Sequence, residues 1–292
     1  MRREGWARLL AALVALVVAA GLLAAAGEVR IGVVTDVHFH DRDSPAEGKW
    51  MAKSAERLGA FVDAMNAWPA DLVIELGDFV NGWVVLGVDP GDPGRIPGIL
   101  ESADKVLAGF SGPRYHVVGN HDLYNLSKGE YRGILDLERT YASFDVGGLH
   151  VVLLDVQFTT SGQDLAYTYT GVKGFVPQEE LDWLRADLAS TTFPTIVCVH
   201  QRLDSEREEW RDVTNADAVR AVLATSGVVV AVFQGHDHEN GHTKEGGIHY
   251  LTFEALVDQG TPPSWARVTV DPDARTIVVR GGGDQANWDL TY

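Results

Sequence analysis

Basic residues are scarce in this chain. Its 24 Lys and Arg stand against 41 Asp and Glu, a formal net charge of −17 over 292 residues. A general nucleic-acid binder or an anionic-membrane binder needs a basic face, so this balance excludes both classes. It also sits awkwardly with a phosphate substrate unless bound cations supply the missing positive charge. Cysteine is scarcer still. Cys198 stands alone, so no intrachain disulfide can form. It falls in the apolar run Thr195–Val199 and reads as a small buried hydrophobe on a strand, not as a reactive thiol. Internal repeats and a domain linker are also lacking. With 46% hydrophobic residues to supply a core, residues 27–292 are expected to form a single domain.

Residues 1–26 read differently from the rest. Arg2, Arg3 and Arg8 give a basic start, no charge occurs from Leu9 to Gly27, and Ala24-Ala25-Ala26 suits a small-residue cleavage site. The expectation is a signal peptide and an exported product, periplasmic or secreted, with no stable membrane association after cleavage. An uncleaved N-terminal anchor is the alternative, because the apolar run approaches spanning length. Cleavage is favoured because the first strand begins near Val29 and leaves almost no linker. Removal of this segment takes away three arginines and one glutamate, which moves the net charge from −17 to −19.

The remaining chain alternates short, β-branched apolar runs with helical patterns. Strands are expected at Val29–Val34, Asp71–Leu76, Tyr115–Val118, Leu149–Val156, Thr195–Val199, Val228–Gln234, His249–Phe253, Ala266–Val270 and Thr276–Val279. Helices are expected over Trp50–Trp68, after Pro177, and over about Asn215–Thr225. The β-α-β-α-β order of the first half predicts parallel strands, and the short turns near the end predict antiparallel ones. The segment Gly82–Gly98 reads as a long loop.

Five motifs follow apolar runs: Asp36-Val37-His38, Gly77-Asp78-Phe79-Val80-Asn81, Gly119-Asn120-His121-Asp122, Val199-His200 and Gly235-His236-Asp237-His238. In an open α/β sheet, ligands collect outside the carboxyl ends of strands, so five strands would deliver polar groups to one edge. Asp36, His38, Asp78, Asn120, His200, His236 and His238 offer seven oxygen or nitrogen donors, and these suit two divalent or trivalent cations such as Mn, Fe or Zn. His121 and Asp122 read as an acid and its orienter. Singly, each motif is weak: D-x-H arises by chance, Gly-Asp is usually a turn, and a lone buried histidine is usually a satisfied core residue. Five in one order, each at a strand end, point to a metal centre. His40, His116, His150, His242 and His249 read as surface or strand residues.

The set resembles the calcineurin-like metallophosphoesterase superfamily across essentially the whole chain beyond residue 26. The resemblance implies an α/β fold, a four-layer αββα sandwich with two mixed β-sheets. It implies one metal on Asp36, His38, Asp78 and His238, and another on Asp78, Asn120, His200 and His236, with Asp78 bridging. His121 would sit beside the scissile group, with Asp122 orienting it, and a metal-bridging hydroxide would attack phosphorus. Closer similarity is to the manganese-dependent ADP-ribose/CDP-alcohol diphosphatases. It rests on Gly119–Asn125, Gly174-Phe175, Gln178–Leu184 and the tail from Gly281 to Tyr292. Two positions depart from the family pattern: Asn81 stands where many relatives carry a carboxylate, and Gln201-Arg202 stands where a small apolar residue and a proline are expected.

The sequence therefore predicts a two-metal phosphohydrolase acting on phosphodiester or pyrophosphate bonds of small nucleotide or alcohol phosphates. A phosphomonoesterase with the same site is the alternative. A non-catalytic binding domain on this scaffold is a further rival, but such domains lose ligands and none is missing here. A metallo-β-lactamase-like site would need an Asp-His pair shortly after His238, where the chain has Asn240-Gly241. The expected partner is a small phosphorylated substrate, and nucleic acid is not expected.

Overall fold

The computed structural model describes residues 27–43, 48–82, 93–167, 173–204, 212–258, 260 and 262–292. The expected signal peptide, and most of the loop expected between Gly82 and Gly98, lie outside the described residues. Among those described, no helix is long and apolar enough to cross a membrane.

The first half runs β1 (Val29–Val34), α1 (Ser54–Ala67), β2 (Leu72–Glu75), α2 (Ile96–Leu107), β3 (Arg114–His116), α3 (Lys128–Leu135), β4 (Ala142–Val146) and β5 (Leu149–Leu153). The second half runs α4 (Gln178–Ser190), β6 (Thr195–Val199), α5 (Ala216–Ser226), β7 (Val229–Gln234), β8 (Gly241–Glu245), β9 (Ile248–Thr252), β10 (Trp265–Asp271), β11 (Thr276–Gly282) and β12 (Trp288–Thr291). They form two six-stranded sheets, ordered β12-β11-β10-β1-β2-β3 and β4-β5-β6-β7-β9-β8. In the first sheet β1, β2 and β3 are parallel, and β10, β11 and β12 extend it antiparallel beyond β1. In the second, β5, β6, β7 and β9 are parallel, with an antiparallel strand at each edge.

Both sheets are mixed, as the family resemblance implies. The period-two alternation of strand side chains divides the core into layers. Ile31, Val33, Ile74, Val151, Ile196, Ala231 and Phe233 fill the space between the sheets. On the outer face of the first sheet, Leu58, Phe61 and Met65 of α1 and Leu100, Ala103 and Leu107 of α2 pack with Val34 and Val73. On the outer face of the second, Leu181, Leu184 and Leu188 of α4 and Val219 and Leu223 of α5 pack with Val152, Val197 and Val232. The result is helices, sheet, sheet, helices.

Five elements were not expected from the sequence, and each has a physical reason. β4, β8 and β12 are edge strands with mostly exposed or half-buried residues, so they carry no apolar run. α2 opens with Ile96-Pro97-Gly98, inside the expected loop, because proline is tolerated in a first helical turn. α3 has only eight residues and includes Gly129 and Gly133. It is held instead by a capping box, in which Ser127 and Glu130 satisfy each other's backbone N–H groups.

Candidate metal centre

The ligands sit just past the carboxyl ends of five parallel strands, three in one sheet and two in the other. Past β1 and β2 the chains stay paired: the Asp36 N–H donates to Gly77 O at 3.0 Å and the His38 N–H to Asp78 O at 2.8 Å. Past β6 and β7, the Gly235 N–H donates to His200 O at 3.0 Å. Hydrogen bonds tie the two groups of loops together, among them one from the His236 N–H to Asp36 Oδ2 at 2.9 Å. Glycine precedes three of the ligands because the loops touch. A Cβ on Gly235 would collide with Thr35 Oγ1, and one on Gly119 with the backbone nitrogen of Asp78.

The backbone bends sharply here. Asp36, His38, Asp78, His236 and His238 have φ of 51°, 42°, 55°, 71° and 56°. Side-chain-bearing residues rarely adopt this left-handed region, which costs of order 1–3 kcal/mol at each position. Five such residues in one place mean that the surrounding fold over-determines the site.

The bends point the side chains inward. His238 Nε2 lies 3.3 Å from Asp36 Oδ1 and 3.2 Å from His38 Nε2. His200 Nε2 lies 3.2 Å from Asp78 Oδ2 and 3.1 Å from His236 Nδ1. Asp78 Oδ2 is also 3.7 Å from His38 Nε2 and 4.0 Å from His121 Nε2. Among the described residues, three groups have potential donor atoms mutually within 4.8 Å: Asp36-His38-His238, Asp78-His200-His236, and His38-Asp78-His121. The first two divide the histidines as the family resemblance divides them, and Asp78 faces ligand nitrogens of both. Asn120 follows Gly119; its Nδ2 donates to Tyr124 Oη at 2.8 Å, and its buried Oδ1 has no hydrogen-bond partner among the described residues. None of His40, His116, His150, His242 or His249 belongs to such a group.

Left to its own groups, the protein sorts its imidazoles into two kinds. Burial disfavours charge on His200, but Asp78 and Asp36 outweigh it and lift the ring to about 10. Burial likewise opposes charge on His238, and Asp36 and Asp258 lift it to about 9. Burial and the charge on His200 hold His236 down at about 4. Burial and Lys49 push His38 and His121 well below the usual range. Burial pulls the Asp36 and Asp78 carboxyls upward, but His238 and His200 respectively override it and keep both far below the usual carboxylate range. Protons thus bridge the ligand atoms, where cations would replace them.

The donor set fits a pair of metal ions. It offers two carboxylates, four imidazoles and an amide oxygen, a mixture suited to hard or borderline cations. The Asn120 Oδ1 is an acceptor that no described residue satisfies. Each ligand imidazole for which a second contact is resolved turns its other nitrogen to an acceptor. His200 Nδ1 donates to Leu76 O at 2.9 Å, His238 Nδ1 to Asp258 Oδ1 at 2.7 Å, and His38 Nδ1 to Asn81 Oδ1 at 2.8 Å. Such contacts fix the tautomer that leaves Nε2 free for a metal.

One expected role is corrected. The Asp122 carboxylate does not orient the His121 ring: its two oxygens accept the N–H groups of Val80 at 2.9 Å and Gly119 at 2.8 Å. It clamps the loop that carries Asp78 to the loop that carries Asn120. His121 is placed by other means. Its N–H donates to Asp78 Oδ1 at 2.7 Å, and its ring packs edge-on to His38 and tilted against Tyr124. Its Nδ1 has no hydrogen-bond partner.

Four contacts around the centre were not expected: those of Lys49 and Asp258, which lie outside the motifs, of Asn81, which closes the second motif, with His38, and of Tyr124 with Asn120. The departure at Gln201-Arg202 now has a structural account. Arg202 is buried and grips Asp237 at 3.0 Å and Asp204 at 3.0 Å, which ties the loop after His200 to the residue between His236 and His238. Gln201 pairs with Gln157 at 2.6 Å. The position of Cys198 agrees with the sequence: it is buried in β6, and burial pushes its thiol pKa up.

The family model described as calcineurin-like phosphoesterase matches residues 29–240. A manganese-dependent ADP-ribose/CDP-alcohol diphosphatase of Oryza sativa subsp. japonica is 28% identical over 89% of this chain and 93% of its own length. One of the same description from Arabidopsis thaliana is 24% identical over 78% of this chain and 86% of its own. Among solved structures, a dimetal phosphatase from Danio rerio superposes with a TM-score of 0.74 at 18% identity, covering 90% of this chain and 99% of the other.

Proposed function

This chain belongs to the calcineurin-like phosphoesterase family and is a metal-dependent phosphohydrolase, and on that premise we propose that it cleaves the pyrophosphate bond of small nucleotide-linked diphosphates, with manganese as its metal. The observation that carries the two-metal reading is Asp78, whose Oδ2 stands 3.2 Å from His200 and 3.7 Å from His38, one histidine from each ligand group. Support for the substrate class and the metal comes from relatives described as ADP-ribose/CDP-alcohol diphosphatases, which this chain matches over most of their length. In this reading it acts after export, with residues 1–26 as its leader.

Asp36, His38, Asp78 and His238 would hold one cation, and Asp78, Asn120, His200 and His236 the other. When bound, such a pair lowers the pKa of water and neutralises phosphoryl charge. The chain's own residues do the rest. Asp258, Leu76 and Asn81 keep three ligand rings aimed inward. Asp122 keeps the Asp78 and Asn120 loops in register. His121 holds a proton on the ring edge facing Asp78 and delivers it to the oxygen that leaves phosphorus. Lys49 and burial keep that ring neutral in the free protein, and a substrate anion alongside would favour its charged form.

A panel of ADP-ribose, a CDP-alcohol, a generic phosphodiester and a phosphomonoester, each with manganese, tests the substrate. Nucleoside monophosphate release from the first two is expected, and exclusive turnover of the monoester would overturn the proposal. In the same preparation, protein isolated from its native envelope is expected to begin at or near Gly27; an intact Met1 would point to an anchor. His121→Ala is expected to keep both metals but lose roughly 10²–10⁴-fold in rate, the usual worth of general acid catalysis. The loss is expected to shrink for nitrophenolate, which leaves without a proton. An equal loss for alkoxide and nitrophenolate would remove His121 from the leaving group.

A further inference from the structure

Lys49 lies between β1 and α1 and is 8% exposed. Its backbone pairs with Asp258 in an isolated antiparallel bridge, and the next N–H, of Trp50, donates to Val257 O at 3.0 Å. That pairing fixes the residue against the segment that also supplies the carboxylate behind His238. Among the described residues the ammonium has one polar contact, His38 Nδ1 at 3.5 Å. This contact does not satisfy it. With Nε2 turned to the metal-facing side, His38 Nδ1 carries the proton it donates to Asn81 Oδ1 and has no lone pair for Lys49. Among the described residues no carboxylate lies within ion-pair distance of Nζ. A buried ammonium without a counter-ion is costly, so its retention calls for an anion that arrives from outside.

The position says which anion. Nδ1 is on the side of the ring away from the ligand atoms, so Nζ stands one imidazole beyond them. The His38 ring meets the His121 ring edge-on at 4.5 Å between centroids. Nζ thus stands beside His38, 3.5 Å from its Nδ1, on the flank of the centre where the His38 ring packs against His121. An alkoxide leaving group needs only a proton there. A leaving phosphate also carries charge of its own and needs a cation.

We propose that Lys49 binds the departing phosphate of a diphosphate substrate, an inference that rests on the pyrophosphate reading of this site. In the hydrolysis the water oxygen bonds to one phosphorus, and the bridging P–O bond breaks with its electron pair passing to the departing phosphate. His121 protonates that oxygen, the proton lost by water passes to solvent, and Lys49 neutralises the group as it leaves.

The test compares AMP with the non-hydrolysable α,β-methylene analogue of ADP by calorimetry, on manganese-loaded wild-type protein and on Lys49→Met and Lys49→Arg. Methionine keeps the length of the buried stem without the charge. Lys49→Met is expected to weaken the diphosphate analogue by about 10- to 100-fold, the scale of a hydrogen bond to a charged group, and AMP by less than about twofold. Lys49→Arg is expected to keep most of the difference, and elemental analysis to find two metals in all three. Equal weakening of both ligands, no weakening, or loss of a metal in Lys49→Met would each overturn the role of Lys49. Wild-type protein that shows the Lys49-dependent preference but cleaves no pyrophosphate would overturn the proposed substrate and leave Lys49 as a diphosphate-binding residue.

Discussion

Two buried clusters of charge sit at the same end of this molecule, and they are built to opposite rules. Asp36 stands two residues beyond β1, and Asp155 stands two residues beyond β5; both are fully buried. Around Asp155 the chain supplies its own cation. Lys128 Nζ lies 2.7 Å from Asp155 and 3.1 Å from Asp164, and it also rests on the face of Phe158 at 3.0 Å. Thr140 and the Gln157 N–H donate to the same carboxylate at 2.5 Å and 2.7 Å. Around Asp36 and Asp78 the chain places imidazoles instead, and Lys49 stands behind one of them, 3.5 Å from His38 Nδ1. A strand-end carboxylate next to a lysine is finished. One next to a ring of imidazoles requires protons or metal ions. What separates a structural cluster from a metal centre is therefore the kind of base beside the carboxylate, not the carboxylate or its burial.

The sharpest way to break the comparison is to remove the shared carboxylate. Asp78→Asn is expected to lose both metals and all measurable turnover, because one charge balances two cations. Elemental analysis showing two metals still bound, with activity intact, would end the bridging role. Next in size is Lys128→Met, which leaves Asp155 buried without its partner. It is expected to cost about 3–5 kcal/mol of stability, typical of breaking a buried pair, while metal content stays at two. Denaturant unfolding alongside elemental analysis checks both halves of that statement.

The metal centre should respond to pH. His200 at about 10 and His238 at about 9 are raised above the ordinary value near 6.5. A raised folded-state value contributes stability that is fully present below about pH 6.5 and is lost as pH climbs through 9 and 10. Chelator-treated protein is thus expected to melt at progressively lower temperature between those limits, and manganese to reverse the loss. A flat profile would mean that the two rings are not protonated in the metal-free chain. The smallest effect is expected for Glu180→Gln. Burial and the nearby Asp155 push the Glu180 carboxyl well above its usual range, which favours its neutral form. A neutral amide in its place is expected to change stability by less than about 1 kcal/mol. A loss as large as that of Lys128→Met would show that Glu180 is ionised.

Most of the candidate ligand positions were legible in the sequence because they follow buried, β-branched strands, which burial on both faces makes stand out; Asn120 is the exception, since it follows the short, half-buried β3. The same rule hid β4, β8 and β12, whose residues face water. It also hid Lys49 and Asp258, which reach the centre from connecting segments outside the motifs, and the contact of Asn81 with His38. Asp122 was legible as a functional position but not in its role. Its neighbour in sequence is His121, the proposed proton donor, while its partners in space are two backbone N–H groups 42 and 3 residues away. Adjacency along a chain shows which loop a side chain belongs to, not where it points.

The hydrogen bond from His236 to Asp36 joins residues 200 positions apart. At the usual synthesis rates of about 5–20 residues per second, Asp36 waits roughly 10–40 s before its partner has been made. Until the later loops are made, the loops after β1, β2 and β3 carry only Asp36, His38, Asp78 and Asn120, and β10 to β12 of the same sheet are made last of all. A complete candidate donor set therefore exists only once both sheets are in place. On the two-metal reading, uptake of metal would act as a proofreading step, open only to molecules that have finished folding.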